Sequence, residues 1–91
     1  MRIDKWLFFT RLIKTRSQAA ALVDSGAVRL NGAIVTKPAQ TVKVGDELIF
    51  PTGKRLRRVV VLAPGGRRGP APEARALYQE QEAPARDPWF D

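Results

Sequence analysis

Residues 14–32 read KTRSQAAALVDSGAVRLNG, and a change of rhythm inside this stretch decides the fold. Thr15 and Gln18 stand at capping-box spacing, Thr-x-x-Gln, in which side chains satisfy the open N–H groups of a helix's first turn. From Arg16 to Asp24, Ala19, Leu22 and Val23 share one face at helical spacing, and the alanines favour helix. Gly26 supplies the stop. After it the period drops to two: Val28-Arg29-Leu30 and Ala33-Ile34-Val35 flank Asn31-Gly32, a dipeptide suited to a type I′ turn. A helix followed by a β-hairpin is predicted. Lys14 and Arg16 flank the cap, so cations and a helix start converge on one surface, an arrangement that suits phosphate.

Upstream, Ile3, Trp6, Leu7, Thr10 and Ile13 recur at three- and four-residue spacing and predict an amphipathic helix over residues 2–13. Asp4 falls in its first turn, where a carboxylate complements the helix dipole. Trp6 belongs to the stripe and is expected in the core. Phe8 and Phe9 either close that core, the favoured reading in so small a domain, or offer a ring on which a base stacks.

Downstream, Lys37-Pro38 ends the second strand and Val44-Gly45-Asp46 turns into a third, 47–50. A turn over 51–54 leads to a longer fourth strand, 55–63, with Arg55, Arg57 and Arg58 in its first half and an apolar run after them. Those arginines read equally as a second phosphate stripe or as a guarded strand edge, as does Lys37. Residues 67–72 read as an extended basic connector, whose Arg67 and Arg68 can reach RNA but fix little geometry. A short helix over 73–81 follows, with Pro72 suited to its first turn and Ala74, Leu77 and Tyr78 on its apolar face. From Ala83 the prolines limit regular structure, and Trp89-Phe90 is expected to dock on the domain or on a partner.

The 91 residues suffice for one domain with a thin core. Without Cys or His there is no disulfide framework, no Ser-His-Asp or Cys-His nucleophile system, and little to hold a transition metal. No cofactor is expected. The apolar runs are too short to span a bilayer and the N-terminus lacks the pattern of a signal peptide, so a cytoplasmic location is expected. Charge is placed unevenly. Residues 1–68 carry 14 Lys/Arg against 4 acids, a balance of +10, whereas residues 69–91 carry 2 against 5, a balance of −3. Such one-sidedness, with a sequence pI near 10.9, points to a polyanionic partner.

The ordered set Arg2-Ile3-Asp4-Lys5-Trp6-Leu7, Lys14-Thr15-Arg16-Ser17, Val28-x-Leu-Asn31-Gly32, Lys37-Pro38 and Val44-Gly45-Asp46 resembles the S4 RNA-binding domain over residues 1–62. The resemblance implies an α+β, S4-type (αL motif) fold, with two short helices on a small twisted four-stranded β-unit and a short C-terminal helix. It divides the chain into an S4 domain, 1–63, and a connector, helix and acidic tail, 64–91. Within that superfamily, Asp4-Lys5-Trp6-Leu7 and residues 67–78, RRGPAPEARALY, are most similar to the ribosome-associated fifteen-kilodalton heat-shock proteins of bacteria. That similarity implies a monomeric, non-catalytic protein that binds structured rRNA and tRNA on the large ribosomal subunit. Its role would be rescue or recycling of stalled subunits that carry peptidyl-tRNA.

Some members of that family carry a long basic C-terminal extension. Here the segment after Tyr78 is acidic and proline-containing, so contacts of such an extension are not carried over. The short S4 factors of ribosome-associated quality control are the competing assignment, with a general structured-RNA binder behind them. Candidate RNA contacts are Arg2, Lys5, Arg11, Lys14, Arg16 and Arg29, joined by Thr15 and Ser17 at the helix start. An appended catalytic domain such as a pseudouridine synthase has no room in this sequence, and Asp4, Asp24 and Asp46 read as helix-start, helix-end and turn residues. A membrane-surface binder would need an apolar wedge that the basic surface does not offer.

Overall fold

The computed structural model describes residues 1–83. The expectation for Trp89-Phe90 therefore lies outside the described residues. Helix α1 spans Ile3–Phe9 and α2 spans Arg16–Asp24. Strands β1 (Val28–Leu30) and β2 (Ala33–Val35) form the hairpin, with Asn31 and Gly32 both in the left-handed region that a type I′ turn needs. Strands β3 (Glu47–Thr52) and β4 (Arg55–Val61) form a second antiparallel pair. The short helix α3 (Ala71–Arg75) and β5 (Tyr78–Gln81) complete the chain.

The sheet has five strands in the order β2-β1-β3-β4-β5, where four were expected. The difference lies in residues 73–81, read from the sequence as one helix. Helix α3 keeps Pro72 in its first turn but ends at Arg75, and Tyr78–Gln81 pairs with β4 in the register Val61↔Tyr78 to Arg58↔Gln81. Helix propensity yields here to the row of N–H and C=O groups that β4 would otherwise leave unpaired. The preceding turn is tied in the same way, since Leu62 N and Ala63 N both donate to Leu77 O.

Helix α1 also ends earlier than its periodicity predicts. Thr10 Oγ1 donates to the carbonyls of Trp6 and Leu7, and Arg11 turns into the left-handed region at φ 62°. Its N–H returns to Phe8 O at 3.1 Å, as in helix stops usually built on glycine.

One core joins the helices to the sheet. Ile3, Trp6, Leu7, Ala19 and Val23 from the helices pack with Val28, Leu48, Phe50, Val59 and Val61 from the strands. Trp6 is fully buried, donates from Nε1 to Ala63 O at 2.9 Å, and meets the Tyr78 ring edge-on. Phe8 and Phe9 remain half-exposed at the rim. Among the described residues no helix is long and apolar enough to cross a membrane.

Candidate nucleic-acid interface

The two helix starts are built differently. At α1 the loop over residues 37–42 folds back, so Ile3 N donates to Gln40 O and Asp4 N to Pro38 O. Asp4, 2% exposed, accepts a two-pronged bond from Arg2 at 2.9 and 3.0 Å. That start is satisfied from within. At α2, Thr15 Oγ1 accepts from Gln18 N at 3.1 Å, the threonine half of the predicted capping box. Among the described residues, the backbone N–H groups of Arg16 and Ser17 meet no protein acceptor. Gln18 instead lines a cleft with Lys14, Leu22, Pro51, Thr52 and Gly53, between α2 and the β3–β4 turn.

Lys14, Thr15, Arg16 and Ser17 are all exposed on this start. Among the described residues, ion pairs join Arg2 to Asp4, Lys43 to Asp46, Arg57 to Glu80, Arg58 to Glu47 and Arg67 to Glu73; Lys5, Lys14 and Arg16 take part in none. Arg57 and Arg58 on the sheet therefore have much of their charge answered within the protein, whereas Arg55 at the start of β4 is exposed and joins no ion pair among the described residues. Hydrogen bonds from Arg57 hold the Glu80 carboxyl below the ordinary glutamate range, and Glu80 in turn raises Arg57. Lys14 and Arg16 thus put two exposed, unpaired cations on the elbow between the helices; Lys37, Lys54, Arg55 and Arg75, also exposed and in none of these pairs, lie elsewhere on the surface.

The candidate residues fall into three groups. Lys14, Thr15, Arg16 and Ser17 come together on one exposed corner. Arg2 lies by the α1 start, engaged with Asp4 but with its side chain 45% exposed; Lys5, the next residue after Asp4, is half-buried. Arg11 and Arg29 are placed otherwise. Arg11 is exposed yet commits Nε to Gly69 O at 2.7 Å. Arg29 is only 3% exposed on β1, with Nη1 on Gly26 O, and presents little surface to a ligand.

Sequence reasoning missed Arg68. Expected to sit loosely in a connector, it donates to Phe8 O and Ile13 O and stacks its guanidinium on the Phe8 ring, 4.5 Å from the centroid. It also missed Glu47 and Glu80 as partners of the strand arginines. Glu80 gave no signal because its segment read as helix.

The sequence profile of the S4 domain family, an RNA-binding module, matches residues 1–48. Heat shock protein 15 homolog of Haemophilus influenzae is 40% identical over 83 residues, 91% of this chain and 63% of that protein. Heat shock protein 15 of Escherichia coli K12 is 39% identical over 80 residues, 88% of this chain and 59% of its own length. The chain thus spans about six-tenths of the length of these relatives. The RQC P-site tRNA stabilizing factor of Halalkalibacterium halodurans is 41% identical over 61 residues, 67% of this chain and 68% of that protein.

Among solved structures, heat shock protein 15 of Vibrio cholerae superposes with a TM-score of 0.84 at 36% identity, covering 89% of this chain and 81% of that one. That structure is trimeric, so it gives no support to the monomer expected here. With fold, helix start and sequence in agreement, the chain belongs to the S4 domain family and is homologous to bacterial heat shock protein 15, a non-enzymatic branch of it.

Proposed function

We propose that this protein binds structured RNA of the large ribosomal subunit through the start of α2, and acts on stalled subunits that retain peptidyl-tRNA. The observation that carries the reading is the α2 start: Lys14 and Arg16 are exposed and unpaired beside open N–H groups, while Arg57 and Arg58 on the sheet are held by Glu80 and Glu47. Phosphates at A-form spacing would be met by Lys14, Arg16 and the backbone of Arg16 and Ser17, with Arg2 and Lys5 extending the track. Specificity would come from RNA shape, since A-form grooves hide base edges. A cytoplasmic location follows from the partner.

The reach of the alignments favours the heat shock protein 15 role over that of the quality-control factors. An 83-residue match within 91 residues takes in both α3 and β5, whereas 61 residues cannot span from α1 to β5. A factor that steadies tRNA on the same subunit remains the second reading, supported by the 41% identity.

The test is sedimentation of lysate on sucrose gradients at low and moderate salt, with Lys14→Ala/Arg16→Ala beside the wild type. Wild type with free large subunits and the double variant at the top is the expected result. Wild type at the top of the gradient under both salts would overturn the ribosomal reading. Adding a chain-elongating quality-control reaction separates the two roles, since only the second reading requires the protein there.

A further inference from the structure

The connector after β4 carries two arginines that behave differently. Arg67 is exposed and pairs with Glu73. Arg68 turns inward, with Nη1 donating to Phe8 O at 2.8 Å and to Ile13 O at 3.2 Å, beneath the stack on Phe8. Arg11 answers in the opposite direction, Nε donating to Gly69 O at 2.7 Å. The two segments, 58 residues apart along the chain in the Arg11–Gly69 bond, are therefore clasped from both sides.

The clasp sits where the backbone needs help. The last carbonyls of a helix have no intrahelical partner, and a cation there is favoured by the dipole. Arg11 holds φ 62°, a conformation that L side chains adopt only when the surroundings impose it. A planar guanidinium can bond carbonyls on both sides of this turn and stack on a ring at once, which a lysine ammonium cannot reproduce. Three residues separate Arg11 from Thr15, the cap of α2. The direction in which Lys14 to Ser17 leave the elbow is thus set by this turn.

We propose that Arg68, with Arg11, is a positioning residue for RNA recognition: the clasp fixes the elbow over residues 10–13 and so aims the α2 start, without itself meeting phosphate. This rests on the reading of the α2 start as the RNA contact. The guanidinium of Arg68 is spent on carbonyls and a ring, so the salt dependence of binding should not record it.

Wild type, Arg68→Lys, Arg68→Gln, Arg11→Gly and Arg16→Ala are titrated onto purified bacterial large ribosomal subunits over a series of KCl concentrations, with thermal melts and amide exchange on the proteins alone. Glycine accepts the left-handed turn, so Arg11→Gly removes one side of the clasp while keeping the backbone path. Arg68→Lys and Arg11→Gly should weaken binding by about three- to thirtyfold. Their plots of log affinity against log salt, and that of Arg68→Gln, should run parallel to that of wild type, and the bonded amides of Ile13, Gln18 and Ala19 should exchange faster. Arg16→Ala should instead flatten the slope by about 0.7–0.9, the signature of one lost phosphate contact.

Binding equal to wild type in both clasp variants overturns the proposal and leaves the α2 contact standing. A flattened slope for Arg68→Gln, which removes the charge, also overturns it, because Arg68 would then touch phosphate itself. If wild type fails to bind subunits, or Arg16→Ala binds them with the affinity and salt slope of wild type, the reading of the α2 start falls and takes this role with it.

Discussion

The side chain of Asn31 is bonded to Glu47, the first residue of β3, and to Asp46 just before it: Nδ2 donates to Asp46 Oδ1 at 3.0 Å, and Oδ1 accepts from Glu47 N at 2.8 Å. A turn residue of one hairpin thereby fixes the start of the next strand. The backbone reinforces this, since Asn31 N donates to Glu47 O.

Asn31→Ala removes both side-chain bonds and forces alanine into φ 50°. Urea denaturation should show a loss of about 2–3 kcal/mol, and Asn31→Gly a smaller loss because it restores the backbone freedom alone.

Asp46 is 5% exposed. Burial pushes its carboxyl up, but hydrogen bonds from Asn31 and from Lys43 N, with the Lys43 ammonium, together outweigh that and leave it below the ordinary aspartate value of 3.8. The folded state then holds its proton more weakly than the unfolded state. The stabilisation is complete above pH 3.8 and disappears as pH falls through the lower folded value. Chemical denaturation from neutral to acidic pH should show a shallower acid decline for Asp46→Asn than for wild type.

Thr15→Ala should cost about 1 kcal/mol through loss of the α2 cap, and should also weaken large-subunit binding because the first turn frays at the proposed RNA contact. Thr15→Ser keeps the accepting oxygen and should restore both readings. Melting temperature and affinity measured on the same samples check this.

Trp6→Phe keeps an aromatic ring in the core but leaves Ala63 O without its donor. A loss of about 2–3 kcal/mol in urea unfolding is expected, and Tyr78 should become more mobile because its edge-on partner is smaller.

The elements governed by local chemistry were legible. Thr15, Gly26 and Asn31-Gly32 mark the bounds of α2 and the hairpin in the sequence, and the structure places them there. The strand at residues 78–81 was hidden because ALYQEQ carries no strand alternation; the open edge of β4, a tertiary fact, recruits it. The early end of α1 was hidden for a related reason. Nothing in Thr10-Arg11 announces a left-handed arginine, and its support comes from Arg68 and Gly69, far away in sequence. Of the candidate site, the cluster at 14–17 was readable from capping and charge, whereas the burial of Arg29 depended on how the strands assembled.

The neutralisation of the strand arginines bears on how the molecule meets its partner before any contact forms. With Arg57 and Arg58 answered by Glu80 and Glu47, and Lys14 and Arg16 unanswered, the charge has a direction as well as a sum. In the field of a polyanion such a body is turned as it diffuses, so that a larger share of collisions arrive elbow first. On the proposed contact at the α2 start, Glu47 and Glu80 would aid oriented capture, and neutralising them would raise total charge while making arrivals less well oriented.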